Sequence, residues 1–554
     1  MDDNRSFWKN FIRIMIPVFV AGVCVSEAFY ILLESPLNPW SERLAGIDSS
    51  IFIYMGEGLN RGLVPYRDMF DHKGPLLWSI EQLGLILGGG SVTGIWLLEL
   101  LALSFDIGMA YLCAKTVTGH RGESMMAACL SFVPLITLLY EGNLSEEWSL
   151  PFIYAGLYIY LQYFIPEKPG TAGEGAENPA SGSPGKNLKR PDLTPALHDT
   201  PPISARRDGI RMAEVLLEGI LCGAVLMIRV NGAALWAVFS VALLLVLIAR
   251  DRTRDALICI PAFFGGVLLS FVPYLIWYGA KGSLKEMWDA YIGFNIYYSG
   301  LHGGFSLGNA LMLSKYFVSM DLLLWLPVLL GVLVVFLEGK GCYRLLFPVF
   351  YAVSCLCAAL GGEKHIHYAM YLVPCILMPL AFCFGYLRDL FEKPGGRIGV
   401  AAVRCVIIIS CMFYIRSAAP VGEQRDRFRA LSGMATEDRM MLDYISENAE
   451  EGDDILVTGL NARLYYASGH LCGSRRFIQH FMYDYDRSLM KEMLDYVDND
   501  PPKLIISPRR NVDGDPWGEW MTEFNSELEK REREGLFTGY ENEVFAAYKR
   551  TGER

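Results

Sequence analysis

Long apolar segments constrain the fold of this chain more than any other feature of its sequence. Many of them are long enough to cross a hydrocarbon core of ~30 Å as helices. Only 20% of the residues are charged, which is below the ~25% typical of soluble domains. The sequence therefore predicts an all-α polytopic membrane protein. The eleven predicted spans are 11–33, 94–117, 123–140, 148–164, 213–229, 233–249, 257–279, 318–337, 345–361, 367–387 and 398–416.

The first span and the charged connections predict the orientation. The run from Phe11 to Leu33 is too long for the core of a signal peptide and lacks a small-residue cleavage site, so we interpret it as a retained helix. Lys and Arg favour the inner side of a membrane. If the N-terminus is cytoplasmic, the inner connections include "KTVTGHRGE" and "RDRTRD", whereas the outer "EGNLSEE" has no cation. We expect a plasma-membrane protein whose C-terminal part is extracytoplasmic.

A polar stretch separates two membrane halves, residues 1–164 and 213–416. Residues 166–202 contain eight prolines and no aromatic residue. Such a composition buries too little apolar surface to offset the entropy lost on ordering. We therefore predict a disordered cytoplasmic linker at 165–212.

The sequence after residue 416 changes character. "DILVTGL" and "PKLIISP" predict short buried strands, and "TEDRMMLDYISENA" and "RSLMKEMLDYVDN" predict amphipathic helices. Residues 417–554 should therefore form a small extracytoplasmic α/β domain. It has no G-x-G-x-x-G motif, so accessory recognition or packing on the membrane domain is favoured over nucleotide binding.

Charge and cysteine content exclude some classes of function. The net charge of −11 comes without a basic stripe, so no nucleic-acid partner is predicted. Most of the thirteen cysteines lie inside apolar runs, where cysteine packs as a small hydrophobe. No pair has zinc-site spacing in a polar context, and no metal ligand is assigned.

Ionisable residues gather on the predicted outer face. A transporter would more naturally place such residues in the middle of its spans. Their position at one surface favours chemistry at the membrane–water boundary, with one reactant in the lipid. These residues include Asp48, Asp68, Asp71, His72, Glu146, Glu147, His365 and His367.

The run "SSIFIYMGEGLNRGLVPYRDMFDHKGPL" that follows Asp48 resembles the first outer loop of GT-C glycosyltransferases, such as bacterial protein O-mannosyltransferases and lipid A aminoarabinose transferases. Those enzymes carry an acid soon after the first membrane helix, then a tyrosine-bearing helix and "PxxxxFxxKxPL". The matching positions here are Asp48, Tyr54 and the run from Pro65 to Leu76. "NLSEEWSLPF" is similar to the second acidic outer loop of the family, and "HIHYAMYLVP" to its His-Tyr helix start. The resemblance covers about residues 1–390.

Two positions depart from the family pattern. Many relatives have Asp-Glu where this chain has Asp48-Ser49, and a second proline where it has Gly74. The missing second acid weakens any expectation of a metal-binding pair at this point. The motifs indicate the superfamily and leave the substrate open.

The resemblance implies a GT-C-like fold and a hexosyl- or pentosyltransferase that uses a polyprenyl-phosphate sugar. The implied partners are the lipid-linked donor, membrane lipids and a glycan, lipid or protein acceptor at the surface of a bacterial cell envelope. No cofactor beyond this donor is implied, and a divalent cation is left open.

Each functional residue receives a role on this basis. Lys73, helped by Arg67, would stabilise the charge that grows on the phosphate leaving group. Asp48 would be the base that activates the acceptor hydroxyl. His367 and Arg229 would lie near the donor phosphate. The supporting or acceptor-binding positions are Tyr54, Asp68, Asp71, His72, Glu146, Glu147, His365 and Tyr368.

Structural alternatives stay open for these residues. Asp48 could cap the helix that follows it, and Lys73 or Arg229 could extend along the membrane interface as anchors. Asp71 and His72 could serve only to orient Lys73, and Glu146 and Glu147 could be ordinary loop residues. His365 and His367 are two residues apart, so they would not share a helix face, which argues against a two-histidine metal site.

Two other functions compete with the glycosyltransferase. A transporter or flippase of lipid-linked glycans should have ionisable residues in mid-span and paired broken helices. A polymerase or ligase with a diphosphate-linked donor should depend on paired arginines in a large outer loop. The predicted outer loop 280–317 contains no arginine.

Overall fold

The computed structural model describes most of the membrane part and most of the C-terminal part of the chain. The predicted linker 165–212 falls almost entirely outside the described residues, as do the predicted span 398–416 and residues 417–433. The described residues are 2–139, 141–164, 210–301, 306–320, 322–337, 343–360, 362, 365–391, 434–479, 488–509 and 519–552.

Helices form nearly all of the described membrane part, as the apolar segments predict. They are α1 (Asp2–Ile31), α2 (Ile47–Asn60), α3 (Pro75–Leu87), α4 (Thr93–Thr118), α5 (Arg121–Phe132), α6 (Leu135–Leu138), α7 (Ser145–Phe164), α8 (Met212–Leu226), α9 (Ala234–Ala249), α10 (Thr253–Ala280), α11 (Leu284–Trp288), α12 (Phe294–Leu301), α13 (Leu307–Met320), α14 (Leu322–Leu337), α15 (Tyr343–Ala358) and α16 (Val373–Phe391).

Several of these helices can cross a membrane, and the expected multi-pass helical architecture is confirmed. Within the described residues, five are long and apolar enough by themselves: Met15–Glu34, Thr93–Thr118, Val230–Ala249, Thr253–Ala280 and Ile366–Leu390. The pair Leu307–Met320 and Leu324–Leu337, bent by 114°, makes a sixth if it is one span. The predicted total of eleven stays a prediction.

Small residues allow the helices of the second membrane half to pack closely. A Cβ on Gly219 of α8 would collide with the carbonyl oxygen of Phe263, and one on Gly266 of α10 would collide with that of Leu216. Such backbone contact is typical of helix packing in membranes, where burial of apolar surface gives little net attraction. The glycines therefore set the distance between α8 and α10.

The C-terminal α/β region (residues 434–552 as described) contains a small sheet, which includes the two predicted strands and two more that we did not predict from the sequence. Its strands are β1 (Ile455–Val457), β2 (Leu504–Pro508), β3 (Phe537–Glu541) and β4 (Phe545–Arg550). The order is β1-β2-β4-β3, with β1 parallel to β2 and the other pairs antiparallel. The helices Thr436–Asn448, Leu489–Asn499 and Glu519–Arg533 surround it.

The C-terminal α/β region contacts α2 and the loop that follows α2. The rings of Tyr54 and Phe477 are stacked, with centroids 3.8 Å apart and planes at 17°. The backbone N–H of Cys472 donates to the Tyr54 hydroxyl at 3.1 Å, and that of Phe70 donates to the carbonyl of Arg475 at 3.0 Å. The α/β region is thus attached to the segment that bears the candidate site.

Candidate active site

A tightly folded loop between α2 and α3 carries the charged cluster. Tyr66 is fully buried and has φ = 69°, a left-handed conformation that is uncommon outside glycine. Its hydroxyl donates to the carbonyl of Lys73 at 2.7 Å. Asp68 Oδ2 accepts from the backbone N–H of Val64 at 2.8 Å, which closes the preceding turn. These bonds fix the backbone that presents Lys73.

The same loop is hydrogen-bonded to the end of α8. The N–H groups of Gly74 and Leu76 donate to the carbonyls of Ile228 and Met227 at 3.2 and 3.1 Å. A Cβ on Gly74 would overlap the carbonyl group of Met227. Glycine at this position therefore allows the two backbones to touch. Because Arg229 follows directly in the chain, this contact also brings Lys73 and Arg229 into one region.

Asp71, His72 and Lys73 form a short polar chain. His72 Nδ1 lies 3.1 Å from Asp71 Oδ1, and Lys73 Nζ lies 3.3 Å from His72 Nε2. Burial and the charge of Lys73 lower the pKa of His72, although Asp71 opposes them. Burial acts to raise the pKa of Asp71, but Lys73 and His72 outweigh it and lower that pKa. A neutral His72 next to an ionised Asp71 can accept a hydrogen bond from Lys73.

Lys73 is nearly buried and makes no direct ion pair with a described carboxylate. It is 9% exposed, and its Nζ lies 5.7 Å from the centre of the Phe52 ring. No carboxylate among the described residues forms an ion pair with it. Asp48 and Asp71 act on Lys73 from beyond ion-pair distance, so Nζ could also contact an anion directly, and the site is suited to one.

Asp48 lies in the first turn of α2, and the N-cap of this helix is Gly46. The structure therefore does not use Asp48 as the cap. Its side chain is 30% exposed, and Oδ2 lies 4.0 Å from His367 Nε2. Burial acts to raise the pKa of Asp48, but the charges of Lys73, His367, Arg229 and His365 lower it to about 2. Asp48 is thus an ionised carboxylate surrounded by cationic groups.

Arg229 belongs to the same cluster as Asp48, and residues of α7 bind its side chain. Its Nη1 lies 2.6 Å from Glu146 Oε1 and donates to Ser145 Oγ at 3.2 Å. Its guanidinium carbon lies 4.2 Å from the centre of the Tyr368 ring, a cation–π arrangement. Glu146 is fully buried, so this arginine is fixed in place.

The His-Tyr segment lies just before α16, mostly in a 3₁₀-helix (Ile366–Leu372). The rings of His365 and His367 are stacked with centroids 5.3 Å apart, and that of His367 also lies against Tyr368. Within the described ranges, no group of three or more His, Cys, Asp or Glu side chains could hold a metal ion.

Three predicted site residues make their contacts outside this cluster. Arg67 pairs with Asp68 at 2.8 Å and donates to the carbonyl of Lys281, on the exposed side of the loop. Tyr54 packs on the C-terminal α/β region. The structure therefore brings together Asp48, Asp71, His72, Lys73, Glu146, Arg229, His365, His367 and Tyr368, whereas Tyr54, Arg67 and Asp68 lie apart.

Glu147 belongs to a buried polar group that sequence reasoning did not assemble. Asn143 donates through Nδ2 to Ser49 Oγ at 3.1 Å and to Glu81 Oε2 at 3.2 Å, and its N–H donates to Glu99. Glu147 and Glu99 interact directly within this group. The available signal is the presence of acids inside apolar helices, Glu81 in α3 and Glu99 in α4, since such residues are rare in membrane spans. The group adjoins Asp48 through Ser49.

One family model matches part of the chain. Residues 30–170 match a family described as the putative competence-induced protein Ccs4 N-terminal domain. No curated protein matches the chain.

Solved structures give a broader likeness. ArnT from Cupriavidus metallidurans bound to undecaprenyl phosphate has a TM-score of 0.58 and 11% identity, over 97% of this chain and 99% of that one. The apo state of the same ArnT has a TM-score of 0.55 and 12% identity, over 98% and 100%. The oligosaccharyltransferase of Archaeoglobus fulgidus, in complex with Zn and sulfate, reaches a TM-score of only 0.45 at 13% identity, over 88% and 68%. The two ArnT structures establish the fold, and the chain therefore has a GT-C-like fold.

Proposed function

We propose that this protein is a membrane glycosyltransferase that moves a sugar from a polyprenyl-phosphate carrier to an extracytoplasmic acceptor. The GT-C-like fold supports a lipid-linked donor, because one of the ArnT structures that share this fold holds undecaprenyl phosphate. In the proposal, the site faces the outside of the plasma membrane, next to the C-terminal α/β region. The sugar is a hexose or pentose, and the acceptor is a glycan, lipid or protein.

The observation that carries the proposal is the environment of Lys73. This ammonium is nearly buried, contacts the neutral acceptor His72 Nε2 and forms no ion pair with a described carboxylate. A phosphate diester would supply a direct anionic contact for this ammonium. Its polyprenyl chain would stay in the bilayer while its phosphate reaches the loop between α2 and α3.

Transfer breaks the bond between the anomeric carbon of the sugar and the phosphate oxygen. Negative charge grows on that oxygen as the bond breaks. Lys73 and Arg229 are two fixed cations of the cluster, and cations aimed at a developing charge stabilise the transition state. A phosphate leaves as a stable anion, so the site needs no general acid for the donor.

The acceptor hydroxyl must lose its proton as it attacks, and we assign this proton to Asp48. In the free protein the pKa of Asp48 is about 2, because the surrounding cations outweigh burial. A carboxylate with so low a pKa is a weak base. Donor phosphate would neutralise Lys73 and Arg229, so that burial would raise the pKa of Asp48. Donor binding would in this way prepare the base.

The first experiment measures recognition of the phosphate. Purified full-length protein in nanodiscs is titrated with undecaprenyl phosphate and with undecaprenol, which lacks the phosphate. We expect Lys73→Met to weaken binding of the phosphate by roughly tenfold or more, the loss expected for one charge-assisted hydrogen bond. Lys285→Met is the matched control, since this lysine is exposed and pairs with Asp289. Equal affinity of wild type and Lys73→Met would contradict the proposal.

The second experiment measures transfer. With polyprenyl-phosphate hexoses and pentoses as donors and cell-surface glycans as acceptors, release of polyprenyl phosphate is followed in a single turnover. We expect Asp48→Asn to slow release by roughly 10²–10⁴-fold with donor affinity nearly intact. Asp289→Asn is the matched control. Wild-type turnover in Asp48→Asn would exclude this residue as the base.

A further inference from the structure

A partly open cavity lies between α7, α8, α9 and α10, remote from the candidate active site. Its volume is ≈ 340 Å³. Tyr160 and Tyr163 of α7 line it, and along this helix Tyr160 lies roughly 20 Å from Glu146 at 1.5 Å per residue. The cavity is therefore separate from the cluster around Lys73 and Asp48.

The wall of the cavity is largely apolar. The hydroxyl of Tyr160 and that of Ser240 lie 2.5 Å apart, and the Tyr163 hydroxyl donates to Glu214 Oε2 at 2.5 Å. These polar groups are thus paired within the wall. The apolar surface is contributed by Val215, Leu243, Leu244, Ile260, Phe263 and Phe264.

Glu218 of α8 is the exception in this wall. It is 3% exposed, and its Oε2 accepts from Trp236 Nε1 at 2.8 Å. Its Oε1 has no hydrogen-bond partner among the described residues. Gly156 of α7 lies so close that a Cβ there would be 2.8 Å from Glu218 Oε2. The carboxyl is therefore held where three helices meet, with one oxygen unused.

An acceptor without a donor is unfavourable in an apolar environment, and acidic side chains within membrane helices usually have a function. We propose that this cavity binds an amphiphile with an apolar body and one hydrogen-bond donor, an alcohol or an amine, which donates to Glu218 Oε1. The hydrocarbon body would fill the apolar space. The proposal is independent of the proposed transferase activity, because the two sites share no residue.

The charged and titratable groups around the carboxyl are compatible with both kinds of head group. Glu214 lies one turn before Glu218 and is paired with Arg211 at 3.7 Å and with Tyr163. An ammonium would add a charge contact to Glu218, whereas a hydroxyl would donate a hydrogen bond without charge. The ammonium and the hydroxyl would each donate a hydrogen bond to Glu218 Oε1, and the experiment below distinguishes the two head groups.

The test uses three photoreactive probes that differ only at the head group: dodecanol, dodecylamine and dodecyl methyl ether, each with a diazirine in the chain. Purified full-length protein in detergent is irradiated with each probe, and labelled peptides are identified by mass spectrometry. We expect the alcohol, the amine or both to label α8, α9 and α10 about tenfold more than the ether, since the ether lacks the donor. Labelling by the alcohol alone would indicate a neutral lipid, and labelling by the amine alone a cationic one.

Variants make the assignment specific to Glu218. Glu218→Leu should reduce labelling by the donor probes to the level of the ether. Glu218→Gln puts an N–H donor in place of the unused oxygen, while the amide oxygen accepts from Trp236, and should raise labelling by the ether relative to wild type. Ala237→Phe should place a ring in the cavity and reduce all labelling, with Ala249→Phe, on the same helix but outside the cavity wall, as the control.

Two results would overturn the proposal. One is equal labelling of wild type by the ether and the donor probes, which would mean that the space holds only bulk lipid chains. The other is unchanged labelling in both Glu218→Leu and Ala237→Phe. If Glu218→Leu does not fold, Glu218→Gln and Ala237→Phe still decide the question.

Discussion

Arg229 Nη1 lies 2.6 Å from Glu146 Oε1, and this ion pair joins the two membrane halves at the candidate active site. Glu146 comes from the first turn of α7, and Arg229 follows α8. Both side chains are almost completely buried. The pair fixes the arginine whose remaining N–H groups can meet a donor phosphate.

Removing one partner of this pair should destabilise the protein strongly. We expect Glu146→Gln to lower the free energy of unfolding by about 3–5 kcal/mol, because the guanidinium would stay buried without its counter-ion. The double variant Glu146→Gln/Arg229→Met should regain much of that loss. Unfolding of purified protein in detergent measures both. If the single variant is as stable as wild type, the pair has no structural role.

The close contact of Gly74 with Met227 should make this position intolerant of a larger side chain. A Cβ there would overlap the carbonyl of Met227, so Gly74→Ala must separate the loop from α8. We expect a loss of about 1–3 kcal/mol in stability and weaker binding of undecaprenyl phosphate, since Lys73 is the preceding residue. Gly108→Ala is the matched control, because a Cβ on Gly108 meets no atom within 4 Å. Equal effects of the two substitutions would contradict the role of this contact.

The sequence predicts some of these relationships and not others, for physical reasons. Apolar length predicts membrane helices, and short apolar runs and amphipathic patterns predict β1, β2 and the helices Thr436–Asn448 and Leu489–Asn499, whereas β3, β4 and the helix Glu519–Arg533 were not predicted. The motif around Lys73 identifies the loop, but a motif states only which residues are near in the chain. The pairing of Arg229 with Glu146 depends on the packing of α7 and α8. Gly74 was noted as a departure from the family, and the contact with Met227 gives its reason.

Tyr54 is a motif residue whose contacts the sequence does not predict. The family motif makes it a supporting or acceptor-binding candidate, whereas its hydroxyl and ring contact Cys472 and Phe477. Tyr54→Phe should lower stability by about 1–3 kcal/mol, because the buried N–H of Cys472 would lose its acceptor. The turnover of the folded variant should stay near that of wild type. Tyr540→Phe, on the exposed edge strand β3, is the control. A large loss of turnover with unchanged stability would restore Tyr54 as a substrate contact.

The proposed orientation can be tested by cysteine labelling. Cys472 is buried and unsuited to this purpose, whereas Ser526 is exposed on the helix Glu519–Arg533. We expect an impermeant thiol reagent to label Ser526→Cys in intact protoplasts and to leave Ser181→Cys unlabelled until the membrane is opened. This follows from the distribution of Lys and Arg in the connections. The reverse pattern would place the candidate site on the cytoplasmic side and contradict the proposed acceptor.

Asp48 makes the clearest prediction about pH. Burial acts to raise its pKa, and the cations led by Lys73 lower it to about 2 in the free protein. A lowered pKa means that Asp48 stabilises the fold above its unfolded pKa of ~3.9 and that this contribution is lost as the pH falls through about 2. The acid limb of kcat/KM for the donor, which reports the free protein, should therefore lie near this low pKa.

Donor binding should move that limb to higher pH. Bound phosphate would neutralise Lys73 and leave burial as the larger influence, so the pKa of Asp48 should rise in the complex. The acid limb of kcat at saturating donor reports the complex and should lie above that of kcat/KM. Lys73→Met removes the charge that lowers the pKa of Asp48 most, even before the donor binds. The acid limbs of kcat and kcat/KM should therefore lie closer together in this variant than in wild type. Coincident limbs in the wild-type protein would mean that the donor phosphate does not approach Lys73 closely enough to change the base.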